Sequence, residues 1–448
     1  MLSAAIGQLR ISAARFARNA SGSILPMFAI MAVVLLVIGG AAVDYSRAIN
    51  ARATMANALD AAALSIASQL SSSIMKDKEI DQSLEDWFAA NLNDMGYTDV
   101  AIKNLQHTVD PEAGTISVSS TVGVPTKFIH IGGIGPKTIE VGVDTEVNYS
   151  KFDVELALVL DVTGSMGGDM QTLKDAANSL IDTLISKNTP ESESKIRISI
   201  VPYSQGVNLG EYAQAVTDGN KGTRNCVTER NGDAQYTDDP YDYDKNNEES
   251  YFGGGSENCA ATPQMEPLTA KRNKLTSAIK KLTANGSTAG QTGIAWGWYS
   301  LSPKWTNLWP AKSAPADYDD DEILKFAVIM TDGDFNTYYN YENQTKCSGR
   351  GWGRKCWTVK GWTEKRESEY ASNTSSTRAK KLCSAMKDEG IDVYTIYFGS
   401  NGNSAGAKVM KSCATSVSST FYMASSNQEL ISAFGNIAKK VQAIYLAK

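Results

Sequence analysis

Oxygen-bearing side chains are concentrated in a short segment that follows an apolar run of strand length. Asp161, Thr163 and Ser165 stand at alternate positions directly after the run 155–160, and an amphipathic helical pattern over 170–187 follows them. A loop at the carboxyl end of a buried parallel strand is where open α/β sheets bind ligands. One carboxylate and two hydroxyls on a single turn offer oxygen ligands, which suit a divalent cation such as Mg²⁺. The segment therefore predicts a cation site at a strand end.

The spacing Asp-x-Thr-x-Ser resembles the Asp-x-Ser-x-Ser signature of von Willebrand factor A domains, where it begins the metal-ion-dependent adhesion site (MIDAS). Two further loops complete that site in the family, and both have counterparts in this chain. Thr288 follows Gly286 and Ser287, and Asp332 lies in a Thr-Asp-Gly sequence after the apolar run 326–330. The resemblance implies that Mg²⁺, or Mn²⁺ or Ca²⁺ in its place, is held by Asp161, Thr163, Ser165, Thr288 and Asp332. It also implies that a carboxylate of a partner protein fills an open coordination position.

Two other interpretations of Asp161 compete with a cation site. Aspartate often caps a helix, and Asp161 would then serve only the helix 170–187, a role that explains neither Thr288 nor Asp332. An aspartate at a strand end also resembles the nucleophile of haloacid-dehalogenase phosphatases, but their Asp-x-Asp motif needs an acid where this chain has Thr163. Both histidines precede residue 151, so residues 151–448 cannot form a histidine-based triad. We expect no enzyme.

Alternating patterns predict the elements that position these loops. Strand patterns cover 154–160, 196–202, 326–330, 393–398 and 421–423. Helical patterns cover 170–187, 269–283, 373–388, 404–412 and 427–445. Such alternation predicts an α/β fold with a doubly wound parallel sheet over residues 151–448, of the von Willebrand A or Rossmann-like type.

Two long insertions interrupt this pattern, at about 204–268 and 334–372. The first contains an acidic tract, 238–244, which lacks the spacing of a calcium loop and predicts a solvated acidic loop. The second is rich in aromatic and basic residues, a composition typical of protein interfaces. It is either a recognition loop or a decorative surface loop, without a binding role, that a disulfide holds in place. The sequence leaves both alternatives open.

The chain begins with a basic segment and a long apolar run. Arg10, Arg15 and Arg18 precede residues 24–43, which carry no charge and are long enough to cross a bilayer as a helix. This pattern predicts a cytoplasmic N-terminus over 1–21 and a transmembrane helix over 22–43. A cleaved signal peptide is the alternative, because 40–42 could serve as a small-residue cleavage site.

The following residues predict a stalk and a small subdomain. Residues 44–75 continue as an Ala-rich amphipathic helix, and residues 76–150 combine a helical pattern over 81–95 with strand patterns over 115–122 and 138–147. The segment Gly-Ser-Ile-Leu-Pro-Met-Phe-Ala-Ile from Gly22, followed by Gly-Ala-Ala-Val-Asp-Tyr from Gly40, is similar to the N-terminus of TadE/TadG-like proteins of the tight-adherence (Flp) pilus system. With a von Willebrand A domain downstream, the resemblance is to the TadG-like type.

All six cysteines lie after the predicted membrane span, which fits an oxidising compartment. Proximity in the sequence suggests the pairs Cys226–Cys259, Cys347–Cys356 and Cys383–Cys413, although other pairings and buried reduced thiols stay open. The cysteines and the N-terminal arginines together place the C-terminal domain outside the cytoplasm.

The two resemblances imply a single-pass protein of the bacterial inner membrane, with a periplasmic or extracellular C-terminal domain. It would be a metal-dependent protein-binding module in the assembly or anchoring of a Flp/Tad-type pilus, or in surface adhesion. The expected partners are pilus or pilus-assembly components that supply an acidic residue. A structural scaffold with an unoccupied metal site is the alternative. The formal net charge of −6 and the lack of a basic patch predict no nucleic-acid partner.

Overall fold

The computed structural model describes residues 24–72, 75, 77–94, 101–110, 113–130, 135–149, 152–187, 189–219, 223–243, 251–254, 262–349, 354–367 and 373–447. Contacts divide the chain into two compact units. One unit consists of residues 1–67 and 77–148, and the other consists of residues 68–76 and 149–448.

The first unit is built on helix α1 (Ile24–Ser72), which is 49 residues long. Residues 24–38 of α1 expose nearly all of their large apolar side chains, and the helix is long and apolar enough to cross a membrane. Further along, one side of α1 is buried. The buried residues recur at a helical spacing and are Ala48, Ala51, Met55, Ala58, Leu59, Ala62 and Ile66. The predicted membrane helix and stalk are therefore one continuous helix, apolar and exposed at first and packed later.

The rest of the first unit is a helix and a three-stranded antiparallel sheet. Helix α2 (Asp77–Asp94) buries Ile80, Leu84, Phe88 and Leu92, which recur every fourth residue. The strands β1 (Ala101–Asp110), β2 (Thr115–Pro125) and β3 (Thr138–Asn148) pair in that order. The sequence patterns predict all of these elements except β1. The pairing of β1 shifts between Lys103 and Gln106, where Asn104 has a φ of 52°, and this irregularity breaks the alternation that identifies strands.

The second unit contains a mixed sheet with a parallel centre. Its five parallel strands are β4 (Asp153–Asp161), β5 (Ile196–Tyr203), β10 (Ile323–Thr331), β13 (Asp392–Phe398) and β14 (Phe421–Ala424), in the spatial order β14-β13-β10-β4-β5. The first insertion extends this sheet with the short antiparallel strands β6 (Val207–Asn208), β7 (Cys226–Arg230), β8 (Phe252–Gly254) and β9 (Glu266–Thr269). The predicted α/β fold is confirmed, but the sheet is mostly rather than wholly parallel, because the first insertion adds antiparallel strands to it.

Helices cover both faces of this sheet. Helices α3 (Met170–Leu184), α5 (Arg272–Lys280) and α9 (Asn427–Ala447) share one apolar core with Leu156, Leu158 and Leu160 of β4. Helices α6 (Gly290–Tyr299), α7 (Thr374–Asp388) and α8 (Ala405–Cys413) share the other core with Ala157 and Val159. Successive residues of a strand point to opposite faces, so β4 is buried on both sides, as a doubly wound sheet requires. A short helix, α4 (Ala213–Val216), lies in the first insertion.

The second insertion forms a two-stranded ribbon of β11 (Thr337–Ser348) and β12 (Lys355–Arg366). Cys347 and Cys356 face each other near its tip and form a disulfide, and a second disulfide joins Cys383 of α7 to Cys413 of α8. Both of these predicted pairs are confirmed. Cys226 is also disulfide-bonded, while Cys259, its predicted partner, lies outside the described residues.

The prediction of a solvated acidic loop is wrong for Asp238, which is only 2% exposed. Its carboxylate accepts hydrogen bonds from Ser302 Oγ at 2.5 Å, Tyr318 OH at 2.8 Å and Lys304 Nζ at 2.7 Å. These donors lie far along the chain, so no local pattern could reveal them. They satisfy the buried charge and attach the first insertion to the rest of the second unit.

Candidate metal centre

Four of the five predicted site residues lie at or just after the ends of two strands, β4 and β10, that end at the same edge of the sheet. Strands β4, β5 and β10 end at Asp161, Tyr203 and Thr331, and Asp161 pairs in register with Tyr203. A single turn of 3₁₀ helix, Gly164–Gly168, follows β4 and carries Ser165. Because parallel strands run in one direction, their carboxyl ends bring these loops together.

Asp161 forms the buried floor of the site. Its Oδ1 accepts a hydrogen bond from the Thr163 N–H at 2.9 Å, and its Oδ2 accepts one from Thr331 Oγ1 at 2.7 Å. The hydroxyl of Tyr203 lies 3.3 Å from the same Oδ2. Burial raises the pKa of Asp161 above its ordinary value, although these hydrogen bonds act in the opposite direction. The residue that directly precedes α3 is Asp169, so the alternative in which Asp161 only caps that helix is wrong.

Three more predicted residues form a chain of oxygen atoms from this floor towards solvent. Thr163 Oγ1 lies 3.0 Å from Ser165 Oγ, which donates to Asp332 Oδ1 at 2.8 Å. Thr163 is buried, whereas Ser165 is exposed. Burial and the nearby charge of Asp161 raise the pKa of Asp332 to about 7. Four of the five predicted residues are thus connected, and the cluster is open on one side.

Thr288, the fifth residue, is brought to this edge by the backbone of its own loop. Gly286 O accepts a hydrogen bond from the Gly164 N–H at 2.9 Å, which joins the loop to the segment after β4. The Thr288 N–H donates to Asn336 Oδ1, and the Asn336 N–H donates to Thr288 O, both at 2.9 Å. Thr288 is therefore held between the loop after β4 and the loop after β10.

Sequence reasoning missed three residues that support the site. Thr331 belongs to the Thr-Asp-Gly sequence and could have been found there, whereas Tyr203 directly follows the predicted strand 196–202. A Cβ at Gly293 would lie only 2.4 Å from Tyr203 Cδ1, so the close approach of α6 to this tyrosine requires glycine. Asn336 lies in the second insertion, where no pattern in the sequence indicates a supporting role.

The chemistry of this cluster fits a hard divalent cation. Asp161 and Asp332 each disfavour the charge of the other, and a cation between the loops would remove that repulsion. Among the residues that the structure describes, no group of three or more His, Cys, Asp or Glu side chains could hold a metal ion, and this cluster offers the hydroxyls of Thr163 and Ser165 beside its two carboxylates. Neutral hydroxyl ligands leave much of the charge of a cation uncompensated, so that it can attract a further anionic ligand.

The second unit is a doubly wound α/β domain, with these loops at the carboxyl edge of its parallel strands. Residues 22–68 match the family of Flp pilus-assembly TadE/G-like proteins, Tad, which confirms the resemblance of the N-terminal segment.

Solved structures of pilus proteins are among those similar to the chain. The pilus adhesin SpaC from Lactobacillus rhamnosus GG is 13% identical with a TM-score of 0.37, over 78% of this chain and 34% of that one, so this chain spans about a third of its length. The vWF domain of the type V pili tip protein Mfa5 from Porphyromonas gingivalis is 13% identical with a TM-score of 0.39, over 65% of this chain and 96% of that one. Proximal thread matrix protein 1 from the mussel byssus, solved with a zinc-occupied MIDAS motif, is 12% identical with a TM-score of 0.32, over 65% of this chain and 46% of that one. No curated protein is significantly similar in sequence.

Proposed function

We propose that this chain is a membrane-anchored protein-binding module that acts in the assembly or anchoring of a Flp/Tad-type pilus, or in surface adhesion. It binds an acidic residue of a partner protein through Mg²⁺, or through Mn²⁺ or Ca²⁺, held by Asp161, Thr163, Ser165, Thr288 and Asp332. The observation that carries the proposal is the open chain of oxygen atoms from Thr163 through Ser165 to Asp332, above the buried Asp161. The TadE/G-like segment supports the connection with a pilus.

The proposed topology follows from the helix and the disulfides. Residues 22–43 cross the inner membrane once, the N-terminus is cytoplasmic, and the second unit lies outside. The exposed apolar part of α1 supports the span, and the disulfides Cys347–Cys356 and Cys383–Cys413 support an oxidising compartment. The cluster acts in binding rather than catalysis, because Thr163 stands where a phosphatase of the Asp-x-Asp type needs its general acid.

Calorimetric titration tests the cation site directly. Mg²⁺ added to the full-length protein in detergent micelles should bind saturably, with and without acetate as a substitute for the partner's carboxylate. We expect Asp161→Ala and Thr288→Ala each to weaken binding about 100-fold or more, because even the loss of an outer-shell group costs about 10- to 100-fold.

Exposed residues away from the site provide matched controls for this titration. Asp319→Ala removes an exposed carboxylate that precedes β10, at the opposite end of that strand from the site, and Thr306→Ala removes an exposed hydroxyl. Both should bind like the unmodified protein. If the unmodified protein shows no saturable binding in either buffer, the scaffold alternative replaces the proposal.

We also propose that the ribbon of β11 and β12 contacts the same partner. Its first residue, Thr337, donates to Ser287 Oγ at 2.8 Å, and its N–H donates to Thr288 O at 3.1 Å, so the ribbon starts beside the cation site. Towards its tip it exposes Lys346, Lys355 and Trp357, the last by 47%. Basic and aromatic side chains on a ribbon that starts beside a carboxylate-binding cation suit a partner with an acidic surface.

Replacement of Trp357 tests this role of the ribbon. Trp357→Ala should lower co-sedimentation of the protein with purified Flp pili about 10-fold or more, because exposed tryptophans at the centre of an interface are frequent hot spots. Trp87 of α2 is 48% exposed and provides the control, since Trp87→Ala should leave co-sedimentation unchanged. Equal binding by both variants would favour the alternative that the ribbon has no role in recognition.

A further inference from the structure

A buried carboxylate marks the point where the apolar, exposed part of α1 ends. Asp44 is the first charged residue after the uncharged run 24–43, and it is only 2% exposed. Its oxygens accept hydrogen bonds from the backbone N–H groups of Lys127, Phe128 and Ile129, at 2.7 to 3.1 Å. Burial would raise the pKa of Asp44, but these bonds and Arg47 lower it, and the net shift is downward. The ionised side chain thus fastens the segment after β2 to α1.

We name this segment, residues 126–130, the interfacial loop. It also packs on α1 one turn before Asp44, where a Cβ on Gly40 would lie 2.5 Å from Phe128 Cβ. A side chain at position 40 would therefore push the loop away from the helix. Phe128 is nevertheless 42% exposed, so a large part of its ring faces away from the protein.

The position of Gly40 along α1 determines where the interfacial loop lies relative to the uncharged run 24–43. With 1.5 Å of rise per residue, Gly40 lies about 4.5 Å before Val43, the last residue of the uncharged run. A residue packed on Gly40 lies at the level of that run, near its outer end. Tryptophan and tyrosine are enriched at this depth in membrane proteins, and interfacial anchors bury apolar side chains such as phenylalanine by about 5–10 Å.

Basic residues accompany the exposed aromatic ring. Lys127 is exposed, and so is Lys137, which directly precedes β3 and whose carbonyl accepts a hydrogen bond from the Thr126 N–H at 3.0 Å. This bond places the backbone of Lys137 beside that of Thr126, the residue before Lys127. Lysine side chains can extend to phosphate headgroups while an adjacent apolar residue enters the acyl region.

We propose that the interfacial loop is a second membrane anchor, which inserts Phe128 into the boundary between headgroups and acyl chains of the bilayer that α1 crosses. Its ligand is the phospholipid surface, with Lys127 and Lys137 at the headgroups. The inference rests on the proposed span of α1, because Gly40 sets the depth only if residues 22–43 lie in a membrane. Two attachment points fix the rotation of α1 about its axis, which a single helix in lipid does not fix by itself.

Depth measurement on the full-length protein in phospholipid nanodiscs tests this anchor. The described residues contain no free cysteine, so an environment-sensitive fluorophore can be attached at one added cysteine. Phe128→Cys and Ile129→Cys report on the interfacial loop, and Ile129→Cys keeps the aromatic ring. Leu36→Cys, in the exposed apolar part of α1, and Ala113→Cys, in the exposed turn between β1 and β2, provide the lipid and aqueous references.

We expect quenching by aqueous iodide to be at least about threefold weaker at positions 128 and 129 than at 113, and weakest at 36, since interfacial side chains lie between water and hydrocarbon. Quenching at 128 and 129 equal to that at 113, with 36 protected, would overturn the second anchor and leave the span intact. Strong quenching at 36 as well would overturn the span, and with it the proposed anchoring. The two failures are thus distinguishable in one experiment.

Discussion

Replacing Asp332 with asparagine is expected to abolish cation binding and, in the absence of cations, to stabilise the protein. The carboxylate is proposed to hold the cation or its waters, and a neutral amide removes that charge. Without a cation, the ionised Asp332 is partly buried near Asp161, which raises its pKa to about 7. Asparagine keeps the shape of the side chain and removes the repulsion, so a loss of function and a gain in stability should occur together.

The size of this stabilisation depends on pH. The pKa of Asp332 is higher in the folded than in the unfolded protein, so the folded state binds the extra proton between about pH 4 and pH 7. The stability of the cation-free protein should therefore fall as the pH rises through this window. Above pH 7 the destabilisation by the ionised Asp332 should have reached its full value. Because the site is partly open to solvent, we expect a gain of only about 1–2 kcal/mol for Asp332→Asn at pH 8, and almost none at pH 4.

Thermal unfolding in EDTA at pH 5 and pH 8, together with Mg²⁺ titration, checks this prediction. The melting temperature of Asp332→Asn should exceed that of the unmodified protein by a few degrees at pH 8, and by less at pH 5. Asp319→Asn, at an exposed position, controls for the loss of one negative charge. A variant that still binds Mg²⁺, or that is less stable than the unmodified protein at pH 8, would contradict the prediction.

The proximity of these side chains could be predicted from the sequence because they belong to local motifs. Asp161, Thr163 and Ser165 lie within five consecutive residues, and Asp332 lies two residues after the predicted strand 326–330. Tyr203 and Asn336 could not be found in this way. Their contacts depend on the register of β5 against β4 and on the course of the second insertion, neither of which is encoded locally.

The same distinction explains which parts of the fold could be predicted. The parallel strands have apolar runs because they are buried on both faces, and such runs are visible in a sequence. The strands of the first insertion have only two to five residues, too few to show a period. Asp238 looks like part of a solvated tract because Ser302, Lys304 and Tyr318, which bury it, are more than sixty positions away.

A buried ion pair connects both insertions to the helices beside the proposed cation site. Glu229 of β7 accepts hydrogen bonds from Gln291 Nε2 of α6 at 2.9 Å, from the Tyr339 N–H of β11 at 2.8 Å and from Arg378 Nη1 of α7 at 2.5 Å. The arginine also donates to Tyr339 O and to Asn340 Oδ1, both at 2.8 Å. Burial raises the pKa of Glu229, and Arg378 opposes this shift. The base of the ribbon is therefore held by the buried carboxylate of Glu229, whose charge Arg378 compensates.

Arg378→Met should be among the most destabilising single substitutions in the second unit. Methionine fills part of the space of the arginine but leaves Glu229 buried without its counter-ion, and breaking such a pair costs about 3–5 kcal/mol. The double variant Glu229→Gln/Arg378→Met removes both charges, so it should recover a large part of that loss. Melting temperatures or denaturant midpoints of the unmodified protein and these two variants would measure the effect.

The pH dependence of Arg378→Met distinguishes the lost charge from lost packing. Without the arginine, the pKa of Glu229 in the folded state should rise further, because only burial and neutral donors remain. A raised carboxyl pKa favours the folded state at low pH and disfavours it as the pH increases, so the deficit should be smaller at pH 5 than at pH 8. A deficit that is equal at both pH values, and that the double variant does not reduce, would mean that Arg378 acts through its packing and that the ribbon does not depend on a compensated charge.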